Sequence, residues 1–266
     1  MKHEFTPAMD TLTPAPLSAE ELQALFAETN YRLRESRKAV LQRYAVQSEA
    51  ELLAQIGQAC VAEHPAYELY LSALILEQTR MQIRAEMVSQ LDPANPANEA
   101  DLPSISVHLG LREQLQTHYE SRLLEPVQLA QDALMLSFDT GLKVEVRYFS
   151  RQEYSISWSW GDFELRIDTA PSHPVCTTQP HHLHREDGTL APDSATLPGT
   201  DCWLNLSGLL DRLLSDPLLA APTFDKNAAT DCAATTGSLA RSTAPIKSTA
   251  IHPLTQPLQS RQEIKS

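Results

Sequence analysis

Residues 134–168 read LMLSFDTGLKVEVRYFSRQEYSISWSWGDFELRID. Apolar and polar residues alternate through four segments of this stretch, which is the two-residue period of strands with one buried face. Turn-forming residues separate these segments. Asp139-Thr140-Gly141 follows the first segment, and Gly161-Asp162 precedes the last one. The pattern predicts four consecutive strands in an antiparallel meander.

The chain before this sheet favours helices. Residues 17–91 carry helical periodicity almost throughout. Each of two capping boxes places a glutamate three residues after a serine, at Ser18 with Glu21 and at Ser48 with Glu51. Residues 92–103 contain three prolines, which block helix continuation and predict a linker.

The predicted fold class is α+β, with a helical N-terminal module followed by a four-stranded antiparallel meander sheet with flanking helices. We expect five segments along the chain: a disordered lead (1–16), a helical interaction module (17–91), a linker (92–103), an α+β domain (104–218) and a disordered tail (219–266). The tail is rich in alanine, threonine and serine, and such a composition buries too little apolar surface to offset the entropy of ordering.

Composition excludes several classes of protein. The 266 residues carry a formal net charge of −13, which disfavours a non-specific nucleic-acid coat. No apolar run approaches the roughly 18–20 residues that a membrane span requires, and no export signal opens the chain. The four cysteines form no CxxC pair. These features predict a cytoplasmic protein without a membrane partner.

Groups able to do chemistry are concentrated in residues 166–184, RIDTAPSHPVCTTQPHHLH. Four of the nine histidines lie here: His173, His181, His182 and His184. The run begins on the polar face of the last predicted strand, where Arg166 and Asp168 alternate with apolar residues. A loop that leaves a rigid strand is a common position for functional groups.

Three interpretations of this run are open. His182 and His184 would share one side of an extended segment and could bind a metal, with His173, Cys176 or Asp168 completing the ligands. Alternatively, a neutral and a protonated imidazole could act as base and acid on a phosphodiester, while Arg166 stabilises negative charge and Asp168 orients a histidine. In the third interpretation, these are ordinary surface histidines on a polar loop.

The same residues resemble a known family. The strand ending in RIDTAPSHP, followed by TQPHHLH and a leucine-rich helix, is similar to the TumE type of toxin from bacterial toxin–antitoxin systems, over roughly residues 104–216. The positions that match the family pattern are Arg166, Asp168, His173, His181, His182 and His184. The family pattern has asparagine, histidine and an aromatic residue where this chain has Thr169, Ser172 and Gln179.

The resemblance implies a ribonuclease-like toxin domain that needs no metal or other cofactor and acts on RNA. The helical segment weakly resembles the small helical proteins encoded beside such toxins, around ESRKAVLQRY (35–44) and EHPAYELYLSA (63–73). This implies an antitoxin-like inhibitory partner, in cis or in trans. The alternative function is a catalytically inactive module that binds a protein partner, or zinc through His173, His182 and His184.

Overall fold

The computed structural model describes residues 17–91, 107–173 and 176–219. The predicted lead (1–16), the linker (92–103) and the tail beyond Leu219 lie outside the described residues. The described part of the chain is α+β, as predicted, and contains five helices and one sheet.

Three helices form the N-terminal region: α1 (Ala19–Arg43), α2 (Glu49–Gly57) and α3 (Glu63–Leu91). The hydroxyl oxygens of Ser18 and Ser48 accept hydrogen bonds from the backbone N–H groups of Glu21 and Glu51, as predicted. The reciprocal bond of a capping box is present at Ser18, whereas the Glu51 carboxylate accepts from the backbone N–H of Gln47. The helices enclose a core of their own, which includes Leu41, Leu52, Ile56, Tyr67 and Leu71.

After the undescribed segment, α4 (Val107–His118) precedes the sheet and α5 (Cys202–Ser215) follows it. The strands are β1 (Gln128–Leu129), β2 (Leu134–Ser137), β3 (Lys143–Tyr148), β4 (Tyr154–Trp160), β5 (Phe163–Asp168), β6 (His182–His184) and β7 (Leu190–Pro192). Every strand pairs antiparallel with its neighbour in the sequence, so the sheet is a simple meander.

The four predicted strands correspond to β2–β5, but the prediction of a four-stranded sheet is wrong because the sheet has seven strands. The additional strands contain only two or three residues each. Such lengths are too short to show a two-residue period, and β6 and β7 lie in a segment whose histidines and prolines are typical of a loop.

The two faces of the sheet are covered differently. Leucines of α4 and α5 pack with the alternating apolar residues of the strands to form the larger core. The opposite, polar face contacts α3, where the Arg147 guanidinium donates to Ser72 and the Tyr70 hydroxyl donates to Glu153. Ala170, just beyond β5, is buried in the core of the helical region. The helical region therefore lies against the polar face at the end of β5.

No helix in the described segments is both long and apolar enough to cross a lipid bilayer.

Candidate active site

The pairing of β5 with β6 builds the first part of the site. In the antiparallel register, Asp168 lies directly opposite His182, and Arg166 lies directly opposite His184. Because side chains two residues apart on a strand point to the same face, all four project from the polar face of the sheet. The prediction that His182 and His184 share one side is confirmed.

A residue from the helical region completes the site. Glu63, at the start of α3, places its carboxylate among the three imidazoles, and its side chain is only 8% exposed. Its Oε1 atom lies 2.7 Å from Nε2 of His184 and 3.3 Å from Nε2 of His182. Its Oε2 atom lies 2.8 Å from Nε2 of His173. The three imidazoles therefore surround one carboxylate that belongs to another part of the chain.

Arg166 is held by carboxylates on either side of it. Its Nε donates to Oδ2 of Asp168 at 2.7 Å, and its Nη1 lies 3.0 Å from Oε1 of Glu68. The Nη2 atom lies 3.3 Å from Oε1 of Glu63. Asp168 is fully buried and also accepts a hydrogen bond from the backbone N–H of Ala170. These contacts fix the guanidinium at the base of the histidine cluster.

The charges of the site depend on the imidazoles. Three carboxylates (Glu63, Glu68 and Asp168) surround the single guanidinium of Arg166, which leaves two negative charges when the imidazoles are neutral. Buried charge is costly unless it is compensated, so this environment favours added positive charge. Two protonated imidazoles would supply it, and so would one divalent cation.

The pKa directions agree with this charge balance. Burial opposes protonation of His182 and His184, yet the nearby carboxylates of Glu63 and Asp168 raise the pKa of both imidazoles above the ordinary value. Burial would raise the pKa of the Glu63 carboxyl, but hydrogen bonds from His182 and His184 lower it far below its usual range. Glu63 is therefore an ionised carboxylate at neutral pH.

The backbone orients the most buried imidazole. Nδ1 of His182 lies 3.0 Å from the carbonyl oxygen of Pro180, so this nitrogen is the donor and Nε2 faces Glu63. The His182 side chain is 1% exposed, whereas those of His173 and His184 are 29% and 21% exposed. The ring centroid of His182 lies 4.8 Å from that of His173 and 4.7 Å from that of His184. A buried imidazole thus lies between two accessible ones.

Five of the six candidate residues from the sequence meet in this cluster, and His181 does not. Its ring lies off the face that carries His182 and His184, and burial lowers its pKa. Cys176, the alternative ligand, instead has its Sγ 3.5 Å from the hydroxyl of Thr178. Among the described residues, the group with metal-ligand geometry consists of Glu63, His173, His182 and His184.

Sequence reasoning missed Glu63 and Glu68. Glu63 lies 119 residues before His182 and matches no ligand spacing with it. Glu63 begins the segment EHPAYELYLSA (63–73), which resembles toxin-associated helical proteins but contains no pattern that indicates a catalytic or metal-binding residue.

An open groove of about 590 Å³ runs along the polar face from this cluster. Arg166 and His184 of the cluster line it, together with Ser157 and Ser159. Three basic and three acidic side chains line it: Lys143, Arg166, Arg185, Glu125, Glu145 and Glu164. With its charges balanced, the groove suits a short segment of substrate more than a long phosphate backbone.

Comparison with known families divides the chain between the helical region and the α+β domain. Residues 109–201 match the family described as Toxin TumE, which confirms the resemblance seen in the sequence. Residues 12–93 match the family described as Uncharacterized protein MJ0235 family. No curated protein matches the chain. No solved structure matches it either. The C-terminal part is therefore similar to a toxin family, and the helical part to a different family.

Proposed function

We propose that residues 104–218 form a toxin-like ribonuclease domain and that the helical module inhibits it in cis. The observation that carries this proposal is the position of Glu63. Its carboxylate occupies the centre of the histidine cluster and contacts His173, His182 and His184 together. A substrate phosphate would have to occupy the same space, and like charge excludes it while Glu63 is present.

The proposed reaction is an internal transfer at phosphorus. One accessible imidazole in its neutral form removes the proton from the 2′-hydroxyl of a ribose, and the oxygen attacks the adjacent phosphorus. The other accessible imidazole, protonated, donates its proton to the 5′-oxygen as the P–O5′ bond breaks. The products are a 2′,3′-cyclic phosphate and a free 5′-hydroxyl. No metal takes part in these steps.

The geometry suggests a role for each group. His173 and His184 are the accessible imidazoles, and their ring centroids lie 6.0 Å apart, so they are the candidates for base and acid. His182 lies between them and would orient them and contribute positive charge. Arg166 would stabilise the charge that develops on the non-bridging oxygens, as it now stabilises Glu63 at 3.3 Å.

The inhibitory contact extends beyond Glu63. Glu68 binds Arg166, and the Tyr67 hydroxyl shares a hydrogen bond with Thr169, so consecutive turns of α3 hold the residues around the cluster. A tethered inhibitor has an effective concentration of about millimolar, which makes the covered state the resting state. Displacement of α3 would activate the domain.

The test uses the full chain with Glu63→Gln, expressed in bacteria under an inducible promoter. We expect growth arrest that the wild-type chain does not cause. The purified variant should cleave RNA in the presence of EDTA and leave cyclic phosphate ends. Glu28→Gln, in an exposed ion pair with Arg32, is the matched control and should behave as the wild type.

Addition of His184→Ala to Glu63→Gln should remove both arrest and cleavage. Normal growth and no cleavage by a folded Glu63→Gln protein would contradict the proposal. Cleavage that survives His184→Ala would also contradict it, because the nuclease would then use other residues.

A further inference from the structure

We infer that Glu63, His173, His182 and His184 form a site for one divalent transition-metal ion of the zinc class, which joins the helical module to the histidine loop. The four residues each offer a ligand atom, and these atoms lie within 4.8 Å of one another. Three imidazole nitrogens and one carboxylate oxygen are ligands typical of zinc. No step of the proposed reaction requires this ion.

The distances are close to those that a metal requires. Four ligands at about 2.0–2.1 Å from a zinc ion are separated by about 3.3 Å in a tetrahedron. The Glu63 carboxylate oxygens already lie 2.7 Å from His184, 3.3 Å from His182 and 2.8 Å from His173. Side-chain rotations that move these atoms by about an ångström would make room for one ion between them.

The orientation of the ligand atoms gives a second argument. All three imidazoles present the same nitrogen, Nε2, to Glu63. Oε2 of Glu63 is buried and accepts no hydrogen bond, although Nε2 of His173 is only 2.8 Å away, because the two groups are not aligned as donor and acceptor. The convergence of three Nε2 atoms on one buried carboxylate is the arrangement that ligands adopt around a common ion.

The surroundings of His182 match those of a metal-binding histidine. Such a residue commonly donates its second ring N–H to a carboxylate or a backbone carbonyl, which fixes the ring and leaves the other nitrogen free to bind. Here Nδ1 of His182 donates to the carbonyl of Pro180. Asp168 lies 3.4 Å from Nε2 of His182 and 3.3 Å from Nε2 of His184, so a second buried carboxylate faces the same nitrogens as Glu63 and adds negative charge where the cation would bind.

Charge also favours a divalent ion. With neutral imidazoles, Glu63, Glu68, Asp168 and Arg166 carry two net negative charges, which one divalent cation neutralises. The Arg166 guanidinium would have to release Nε2 of His184, from which its Nη2 lies 3.0 Å. It would keep its contacts with Asp168 and Glu68, so its own charge would stay compensated.

The ion would stabilise the covered state. One ligand comes from α3 and three come from the loop and β6, so the metal would cross-link the two parts of the chain in addition to their direct contacts. It would also occupy the nitrogens that the reaction needs. This regulatory consequence rests on the proposed function, whereas metal binding itself rests only on the geometry.

The experiment titrates the metal-free full chain with Zn²⁺ by calorimetry and with Co²⁺ by visible absorption. We expect one ion per chain, and Co²⁺ absorption typical of tetrahedral nitrogen and oxygen ligands. Glu63→Gln and His173→Asn should each weaken binding by roughly 100-fold, since each removes one of four ligands. His181→Asn, in the same loop but outside the cluster, is the matched control and should bind as the wild type.

Circular dichroism and thermal unfolding of each metal-free variant establish that it is folded. A folded wild-type chain that binds no Zn²⁺ would overturn the inference. Stoichiometric binding that His173→Asn and Glu63→Gln leave unchanged would do the same, because the ion would then lie elsewhere. Neither readout uses RNA or growth, so failure of the nuclease proposal would leave this result interpretable.

Discussion

The hydroxyl of Tyr67 lies 2.9 Å from the hydroxyl of Thr169, a residue 102 positions later in the chain. Both groups are buried, and Thr169 also accepts a hydrogen bond from the backbone N–H of Tyr154 at 3.0 Å. Thr169 therefore links the helical region to the residues at the end of β5.

Tyr67→Phe should lower the free energy of unfolding by about 1 kcal/mol, because it removes one buried hydrogen bond and leaves Thr169 with its other partner. Urea unfolding of the full chain measures the change. Tyr31→Phe is the control, since the Tyr31 side chain is exposed and should contribute little. Equal effects from the two substitutions would show that the contact contributes nothing to stability.

Separate expression of the two halves should give fragments that bind each other. Each half has a hydrophobic core, and the interface between them combines ion pairs and hydrogen bonds with the burial of Ala170 in the helical core. We expect residues 104–218 to arrest growth and residues 1–92 to relieve the arrest when supplied in trans. Glu68→Ala in the helical fragment should weaken the complex, because Arg166 is then left with fewer partners.

Failure of two folded fragments to co-purify would contradict the inhibitor hypothesis. Salt offers an independent check, since an interface with this many ion pairs should dissociate more readily as ionic strength rises.

His181 and His182 are adjacent, yet the structure predicts opposite outcomes for their substitution. In a Glu63→Gln background, His182→Ala should abolish RNA cleavage, because the buried imidazole lies between His173 and His184. His181→Ala should reduce cleavage much less, because His181 lies outside the cluster. Cleavage rates on a common RNA measure both. Equal losses would show that the loop rearranges in the active form.

His108 should make stability depend on pH. It is buried and accepts a hydrogen bond from the backbone N–H of Tyr148. Burial lowers the pKa of His108 to about 4. The negative charge of Asp132 raises this pKa and the positive charge of Arg147 lowers it, and both effects are smaller than that of burial. Between pH 6.5 and about 4 the unfolded chain gains a proton that the folded chain does not, so acid favours unfolding. Above pH 6.5 both states are neutral and this effect disappears.

The lowered pKa corresponds to roughly 3 kcal/mol of stability lost across that interval. The free energy of unfolding in urea should be lower at pH 5 than at pH 7 by about 2 kcal/mol from this residue. His108→Gln should remove that part of the pH dependence while other groups continue to titrate. An identical loss of stability in the variant would mean that the pKa of His108 is not lowered by folding.

The parts of the fold that were predictable from the sequence have local causes. The N-caps at Ser18 and Ser48 depend on residues three positions apart, and the meander β2–β5 depends on a two-residue alternation within each strand. Strand β6 has only three residues, two of them histidines, and is a strand because β5 supplies hydrogen-bond partners for it. No pattern within three residues can reveal that partner.

The residues of the site also differ in whether local sequence patterns predict them. Arg166 and Asp168 lie two positions apart, as do His182 and His184, and the alternation of a strand predicts a common side within each pair. The pairing of β5 with β6 then places both pairs on one face. Glu63 is a single acidic residue in a helical segment, and its role depends on how α3 packs against the sheet. Only the tertiary structure brings that carboxylate to the histidines, so no sequence pattern predicts that Glu63 belongs to the cluster.

The order of the segments along the chain has a consequence during synthesis. The helical module leaves the ribosome before the histidine loop exists. The roughly 90 residues between Leu91 and His184 take roughly 5 to 20 s to translate at about 5–20 residues per second, whereas small helical modules fold in microseconds to milliseconds. Under the proposed function, each new chain would therefore hold a folded inhibitor before the residues that it inhibits emerge from the ribosome.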